Sequence, residues 1–389
     1  MTYQLPIAAR IERIPRVGSR LTDELAAAAR RRGTGMLPLS AYPSHPLPEA
    51  IRAAAARGLK VGAHPPSVGL LELREAIADR LAGELGWRPD PESEVLVTAG
   101  AMHALQLALL TTLDPGAEVL YFTPSFFFGG LIELCGGVPR PAPCDPRQAF
   151  RLPVERLAAF PRARVLILNA PVNPTGVVPD AATLGAIAAW AKTTGGVVIS
   201  DESYDKLVYD GRRHISFFAT RMGRECGLLV RSFTKSYGLP QWRVGYLMGP
   251  APAIRAARKA LEWTNLFGPY LNQKVAALVL RSGAGWLADV TARFQRSRDA
   301  LVGILRASPR LAVTAPGGNP FVFVKVAGLG KEDVRFSRRL IESHGVPNTP
   351  GTYHGLSGWL RIPFGGETRD VMEAGRRVVA AVDKFEPRG

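Results

Sequence analysis

Cysteine is scarce in this chain. It has three, Cys135, Cys144 and Cys226, among 389 residues. That is too few for a disulfide framework, and their spacing fits no metal-ligand pattern. They read as buried or incidental thiols of a reducing compartment, and no metal is expected. Long apolar runs are also missing. None reaches the ~18 residues of a membrane span. The opening stretch MTYQLPIAARIERIPRVGSR lacks the apolar core and cleavage site of a secretory signal. No internal repeat and no low-complexity linker is visible. A soluble, cytoplasmic protein is therefore expected. Acidic residues are outnumbered, 33 to 49, giving a net charge of +16. The excess is mostly arginine, scattered as at Arg30–Arg32, Arg212, Arg213, Arg338, Arg339, Arg376 and Arg377. No stretch interleaves these arginines with aromatics as a nucleic-acid groove would. Neither nucleic acid nor membrane is an expected partner. The charge reads as a solvated surface with some attraction for anionic small molecules.

What is present is ordinary globular usage, 47% hydrophobic and 21% charged. At roughly 100–200 residues per domain, the length suggests two domains. Helices are expected over 18–32, 48–56 and 70–85. From Val95 onward short apolar runs alternate with helical stretches. VLVTAG (95–100), EVLYF (118–122), RVLILNAP (164–171), GVVISDE (196–202), LLVRSF (228–233) and VGYLMG (244–249) read as strands buried on both faces. Alternation with the helices at 101–113 and 181–193 argues for a largely parallel sheet covered on both sides. After about Pro269 the pattern changes to an α+β unit. It has a long helical region at 272–305, strands FVFVKV (321–326) and WLRIPF (359–364), a helix near 332–344 and a last one from Thr368.

In open α/β sheets ligands bind beyond the carboxyl ends of the strands. The residues at those ends are the least ordinary in the chain. Lys235, in SFTKSYG after a strand, would be shielded from water, and a desolvated amine near another cation becomes a Schiff-base nucleophile. Alone it would read as a surface charge. Asp201 also ends a strand. A buried carboxylate needs a partner, which a pyridinium N–H supplies, although in isolation the residue also reads as a helix cap before ESYDKL. Tyr204 and Asn173, in NAPVNPTG, offer hydrogen bonds to a phenolic oxygen. TAGAM (98–102) opens a helix whose free N–H groups at Ala101 and Met102 can cradle a phosphate. Ser232 and Arg243 add a hydroxyl and a guanidinium. Phe126 offers a ring face for stacking, or merely fills the core within its FFF run.

Taken together, NAPVNPTG, SDESYDKLVYDG, SFTKSYGLPQWRVGY and GWLRIPFG, in this order and with eight residues from Lys235 to Arg243, resemble the class I/II aminotransferases. These are the fold-type I pyridoxal-phosphate enzymes of the aspartate aminotransferase superfamily. The likeness runs from about Gly18 to the C-terminus. It implies a seven-stranded, mostly parallel sheet between helices in a large cofactor-binding domain at about 46–275. A smaller α+β domain would combine 1–45 with 276–389. It implies pyridoxal 5′-phosphate as cofactor, in Schiff-base linkage to Lys235, which also moves the α-proton. Asp201 would pair with the ring nitrogen, Asn173 and Tyr204 would contact O3′, and Phe126 would stack on the ring. The amides of Ala101 and Met102, with Ser232 and Arg243, would hold the phosphate. Arg361, with Asn173 and Ala41, would meet the substrate, the arginine taking its α-carboxylate. Members usually form homodimers.

The chain departs from the family pattern in three places. His64 stands where a tyrosine often reaches the partner subunit's phosphate. LSAYPSHP has Ala41, Tyr42 and His45 where a Gly-x-Pro motif is common. Gln241 replaces a frequent glycine. The expected reaction is amino transfer between an L-amino acid and a 2-oxo acid. The alternative keeps the cofactor and changes the chemistry to β/γ-elimination, cyclisation or oxidation. A regulator using the fold as a sensor is disfavoured, because only about 45 residues precede the large unit and they contain no helix-turn-helix.

Overall fold

The computed structural model describes residues 7–42, 49, 52–53, 56, 64–282 and 285–386. Most of the helix expected over 48–56 falls outside these, as does His45.

Seven strands form one sheet: β1 (Val95–Thr98), β2 (Glu118–Thr123), β3 (Val138–Pro143), β4 (Val165–Asn169), β5 (Val197–Asp201), β6 (Gly227–Ser232) and β7 (Gly245–Met248). Their spatial order is β1-β7-β6-β5-β4-β2-β3. β7 runs antiparallel to both β1 and β6. The pairs β6–β5, β5–β4, β4–β2 and β2–β3 are parallel. The interior strands β4 and β6 are buried along their whole length, as uniformly apolar runs require. β3 was not expected. Its sequence, VPRPAP, carries three prolines. Proline lacks the N–H that an interior strand needs, and β3 lies accordingly at the sheet edge.

A second sheet, ordered β10-β11-β9-β8, is antiparallel throughout: β8 (Leu311–Val313), β9 (Phe321–Val326), β10 (Thr349–Pro350) and β11 (Trp359–Pro363). The long helical region of the C-terminal half is two helices, Tyr270–Arg281 and Gly285–Arg306. Helix Gly285–Arg306 packs on helix Thr368–Asp383 over the apolar core of the small sheet, which includes Leu301, Val322, Leu360 and Val378. The N-terminal helix Gly18–Arg31 joins this unit, packing against helix Asp333–His344 and β10. A bridge from Ser40 to Gly365 ties the following segment to the end of β11. The C-terminal ends of β4, β5 and β6 thus face the paired strands β9 and β11, and the expected site residues come from both.

Candidate active site

Asp201 is the last residue of β5, and Lys235 lies three residues past β6. Parallel pairing sets Asn169 beside Asp201 and Asp201 beside Val230, so three neighbouring strands deliver polar ends to one place. The Lys235 amine sits 4.1 Å from the Tyr42 ring centroid and 6.0 Å from that of Tyr204. Burial, followed by the positive charges of Arg361, Arg20 and Arg243, pushes this amine down to about 7. An amine so tuned is substantially neutral at physiological pH and therefore nucleophilic.

Asp201 is buried, and its Oδ1 accepts from the Ser203 N–H (3.1 Å) and hydroxyl (2.6 Å). It does cap a turn, but no helix begins there. Burial pushes its carboxyl up to about 6 against the opposing pull of Ser203. Both of these bonds fall on Oδ1, which leaves Oδ2 for a cationic N–H, the partner that such a desolvated carboxylate requires.

Asn173 links the two sheets. Its N–H donates to Asn169 Oδ1 (2.7 Å), and its Nδ2 donates to the Tyr204 oxygen (3.1 Å). Its Oδ1 accepts from Arg361 Nη1 (3.1 Å). Arg361 is buried in β11, where Nη2 donates to Thr349 Oγ1 (3.1 Å) and the guanidinium lies 4.1 Å from the Phe321 ring centroid. Its Nε has no hydrogen-bond partner among the described residues. Burial pulls this arginine down to about 10. A guanidinium held by neutral groups alone is a ready receptor for a carboxylate.

Gly100 precedes helix Ala101–Thr112 with φ +82°, a left-handed conformation suited to glycine. A Cβ there would lie 2.5 Å from Arg243 Nη2. Gly245, on β7, likewise lets the backbone approach Gly100 to a distance no side chain would permit. Arg243 donates to the Ala99 carbonyl (3.3 Å) and to Thr234 Oγ1 (3.4 Å). Ser232 is buried nearby, and its Oγ accepts from the Thr234 N–H (3.0 Å). Helix N–H groups, a hydroxyl and a guanidinium converge as a phosphate cradle requires. Phe126 is half-buried, its ring tilted against Phe127 at 5.1 Å and edge-to-face with Phe128 at 5.6 Å, so packing within the FFF run accounts for part of its surface. Ala41 is half-buried and packs on the core of the small sheet. His64 is exposed, edge-on to Phe267 at 5.0 Å.

Four residues enter the site without having been expected there. Ser203 braces Asp201, Thr234 connects Ser232 with Arg243, and Thr349 and Phe321 hold Arg361. Ser203 follows Asp201 by two positions, the signature of an Asx turn that could have been read. The partners of Arg361 arise from cross-strand register, for which the chain carries no local signal.

These features match known proteins over nearly the whole chain. The family model "Aminotransferase class I and II" matches residues 36–378. An aspartate aminotransferase of Rhizobium meliloti is 31% identical, covering 96% of this chain and 94% of its own. A methionine aminotransferase of Escherichia coli is also 31% identical, over 90% of this chain and 91% of its own. The crystal structure of the Rhizobium meliloti aspartate aminotransferase superposes with a TM-score of 0.91 at 28% identity, covering 98% of this chain and 100% of that one. With its mostly parallel sheet, its strand-end lysine and aspartate, and these relatives, the chain is an aminotransferase and belongs to the class I and II aminotransferase family.

Proposed function

We propose that this chain moves an amino group between an L-amino acid and a 2-oxo acid with pyridoxal 5′-phosphate as cofactor, at the site built by Lys235, Asp201 and Arg361. The observation that carries the reading is the pairing of a buried amine brought down to about 7 with a buried carboxylate raised to about 6, at adjacent strand ends. The residues fit the group. The missing side chain of Gly100 lets the Arg243 guanidinium lie against the start of helix Ala101–Thr112, where a Cβ would collide with it, and Asp201 offers an oxygen where a pyridine nitrogen needs an acceptor. Bound there, pyridoxal phosphate supplies the carbonyl that receives the amino group and the electron-withdrawing ring that acidifies the α-carbon. The protein does the rest. Arg361 holds the α-carboxylate through its fork. Asn173 and Tyr204 donate to O3′, and the face of Phe126 covers the ring. The neutral Lys235 Nζ takes the α-proton and returns it.

The division into a cofactor unit at 46–275 and a second unit of 1–45 with 276–389 is part of this proposal, as is a cytoplasmic location. No helix among the described residues is long and apolar enough to cross a membrane. A homodimer is also proposed. Trp263 is 92% exposed and Leu266 65%, and a hydrogen bond from His103 Nε2 to Thr264 Oγ1 (3.2 Å), with Nδ1 accepting from the Ala99 N–H (3.2 Å), brings this rim beside exposed Met102. A second copy would cover these apolar groups, and His64, on the same rim beside Phe267, would then face the partner's phosphate.

The test is a single-turnover assay. Protein loaded with pyridoxal phosphate is mixed with one amino acid at a time. One equivalent of 2-oxo acid without ammonia or peroxide supports amino transfer. Stoichiometric ammonia or peroxide would establish elimination or oxidation instead.

A further inference from the structure

His354 ends the short turn Gly351–His354 between β10 and β11 and is buried, 3% exposed. Its Nδ1 lies 2.8 Å from the Ser125 carbonyl oxygen. A carbonyl only accepts, so Nδ1 carries the proton. The Ser125 N–H in turn donates to the His354 carbonyl (3.1 Å). Two residues far apart in sequence thus exchange a pair of hydrogen bonds across the junction between the small sheet and the loop after β2. Ser125 Oγ also donates to the Phe126 carbonyl (2.7 Å), which stiffens the loop at the residue that carries the candidate stacking ring. The imidazole packs at 5.1 Å on Phe127 and at 6.3 Å on Phe323. Phe323 is the direct cross-strand partner of Arg361, so the two share one face of the small sheet. His354 therefore touches both the loop that positions Phe126 and the strand face that positions Arg361. Burial, with Arg361 nearby, holds the ring well below its ordinary pKa and hence neutral. Of the two neutral tautomers, the Ser125 carbonyl selects the one protonated at Nδ1.

We propose that His354 is a positioning residue: its Nδ1–H bond to the Ser125 carbonyl fixes the 123–128 loop against the small sheet, and with it the spacing between the Phe126 ring and Arg361. A phenylalanine at 354 would fill the same space but offer no donor. An asparagine would lose the ring, but its Nδ2 can occupy the Nδ1 position. The inference rests on the proposed function for the role of Phe126, whereas the clamp itself does not depend on a cofactor.

The test uses His354→Phe and His354→Asn in the full chain. Hydrogen exchange of residues 123–128 is measured without cofactor. Visible circular dichroism and the kcat and KM for an amino donor are measured with pyridoxal phosphate bound. In His354→Phe, exchange should quicken about five- to tenfold, as loss of one hydrogen bond allows. The dichroic band of the cofactor should weaken, and kcat should fall by a similar factor with KM within about twofold. His354→Asn should restore most of each. Unchanged exchange in His354→Phe, or an Asn variant no better than Phe, would overturn the proposal. Should the Phe variant fail to fold, near wild-type exchange and dichroism in the Asn variant support the clamp, and their loss overturns it. Failure of wild-type protein to bind pyridoxal phosphate would strike the proposed function, while the exchange arm would still decide on the clamp.

Discussion

Segments 201–205 and 231–236 each send neighbouring residues to two different places. Asp201, Tyr204, Ser232 and Lys235 gather at the candidate active site. Their immediate neighbours Glu202, Asp205, Arg231 and Ser236 gather behind it. There Arg231 meets Glu202 Oε2 (2.9 Å), Glu84 Oε2 (2.6 Å) and Asp205 Oδ2 (3.1 Å). Glu202 also accepts from Ser200 (2.9 Å), Ser216 (2.7 Å) and the Phe217 N–H (3.1 Å), with His214 Nε2 at 2.9 Å. Ser236 donates to Asp205 (3.0 Å), and Lys206 pairs with Glu84. Burial alone would raise the Glu202 carboxyl, yet His214 and Arg231 hold it down to about 2. In the site the balance is reversed. The amine is depressed, the carboxyl is raised, and Arg361 rests on neutral partners. One cluster is electrostatically complete. The other keeps charges whose natural complements are a phosphate, a pyridinium and a carboxylate. Strand alternation at Arg231 and Ser232 and the turns that follow β5 and β6 build both from adjacent residues, and the complete cluster is the rigid backing against which the incomplete one can hold its shape.

Five substitutions or measurements break or sharpen this contrast. The largest stability effect belongs to the complete cluster. Arg231→Met strips the buried carboxylates Glu202 and Asp205 of their shared cation and should cost about 3–5 kcal/mol, read by denaturant unfolding. The pH dependence has a definite sign. Glu202, brought from 4.5 to about 2 on folding, contributes stability that is fully present above pH 4.5. That contribution fades as the pH falls toward 2. The wild-type acid slope should therefore be shallower in the Arg231 variant.

The next effects belong to the incomplete cluster and should appear in rate rather than in folding. Asp201→Asn should leave the melting temperature within a few degrees and the cofactor bound, and slow α-proton removal by about 10²–10³, checked by loss of deuterium from α-deuterated donor. Arg361→Lys keeps the charge and loses the fork. The kcat/KM for the amino donor should fall about 100-fold, while affinity for pyridoxal phosphate barely changes. The smallest expected effect is a displaced midpoint. The rate at which pyridoxal phosphate becomes attached should rise with pH through about 7, following the neutral Lys235 amine, rather than through 10.5.

The strand-end chemistry was legible because each element came with a local pattern. Uniform apolar runs marked β4, β5 and β6, and the candidate site residues either close such a run, as Asp201 and Ser232 do, or follow it closely, as Asn173 and Lys235 do. What stayed hidden depends on register or on rule-breaking composition. β3 was masked by its three prolines. The helix Phe128–Leu134 begins inside an aromatic run with two glycines and shows no amphipathic period. Helix Ala251–Thr264 opens beside two prolines, which fit a first turn and equally fit a loop. The roles of Thr349, Phe321 and His354 arise only once β9, β10 and β11 are paired and set against the loop after β2.

The most direct measurement is chemical. The protein is loaded with pyridoxal phosphate, reduced with borohydride, digested, and the labelled peptide sequenced. The label should reside on Lys235, within the peptide containing SFTKSYG, and an Arg361→Lys variant should carry it at the same place. A label on any other lysine, or no stable label on a protein that nonetheless transfers amino groups, would contradict the assignment of Lys235 as the reacting amine.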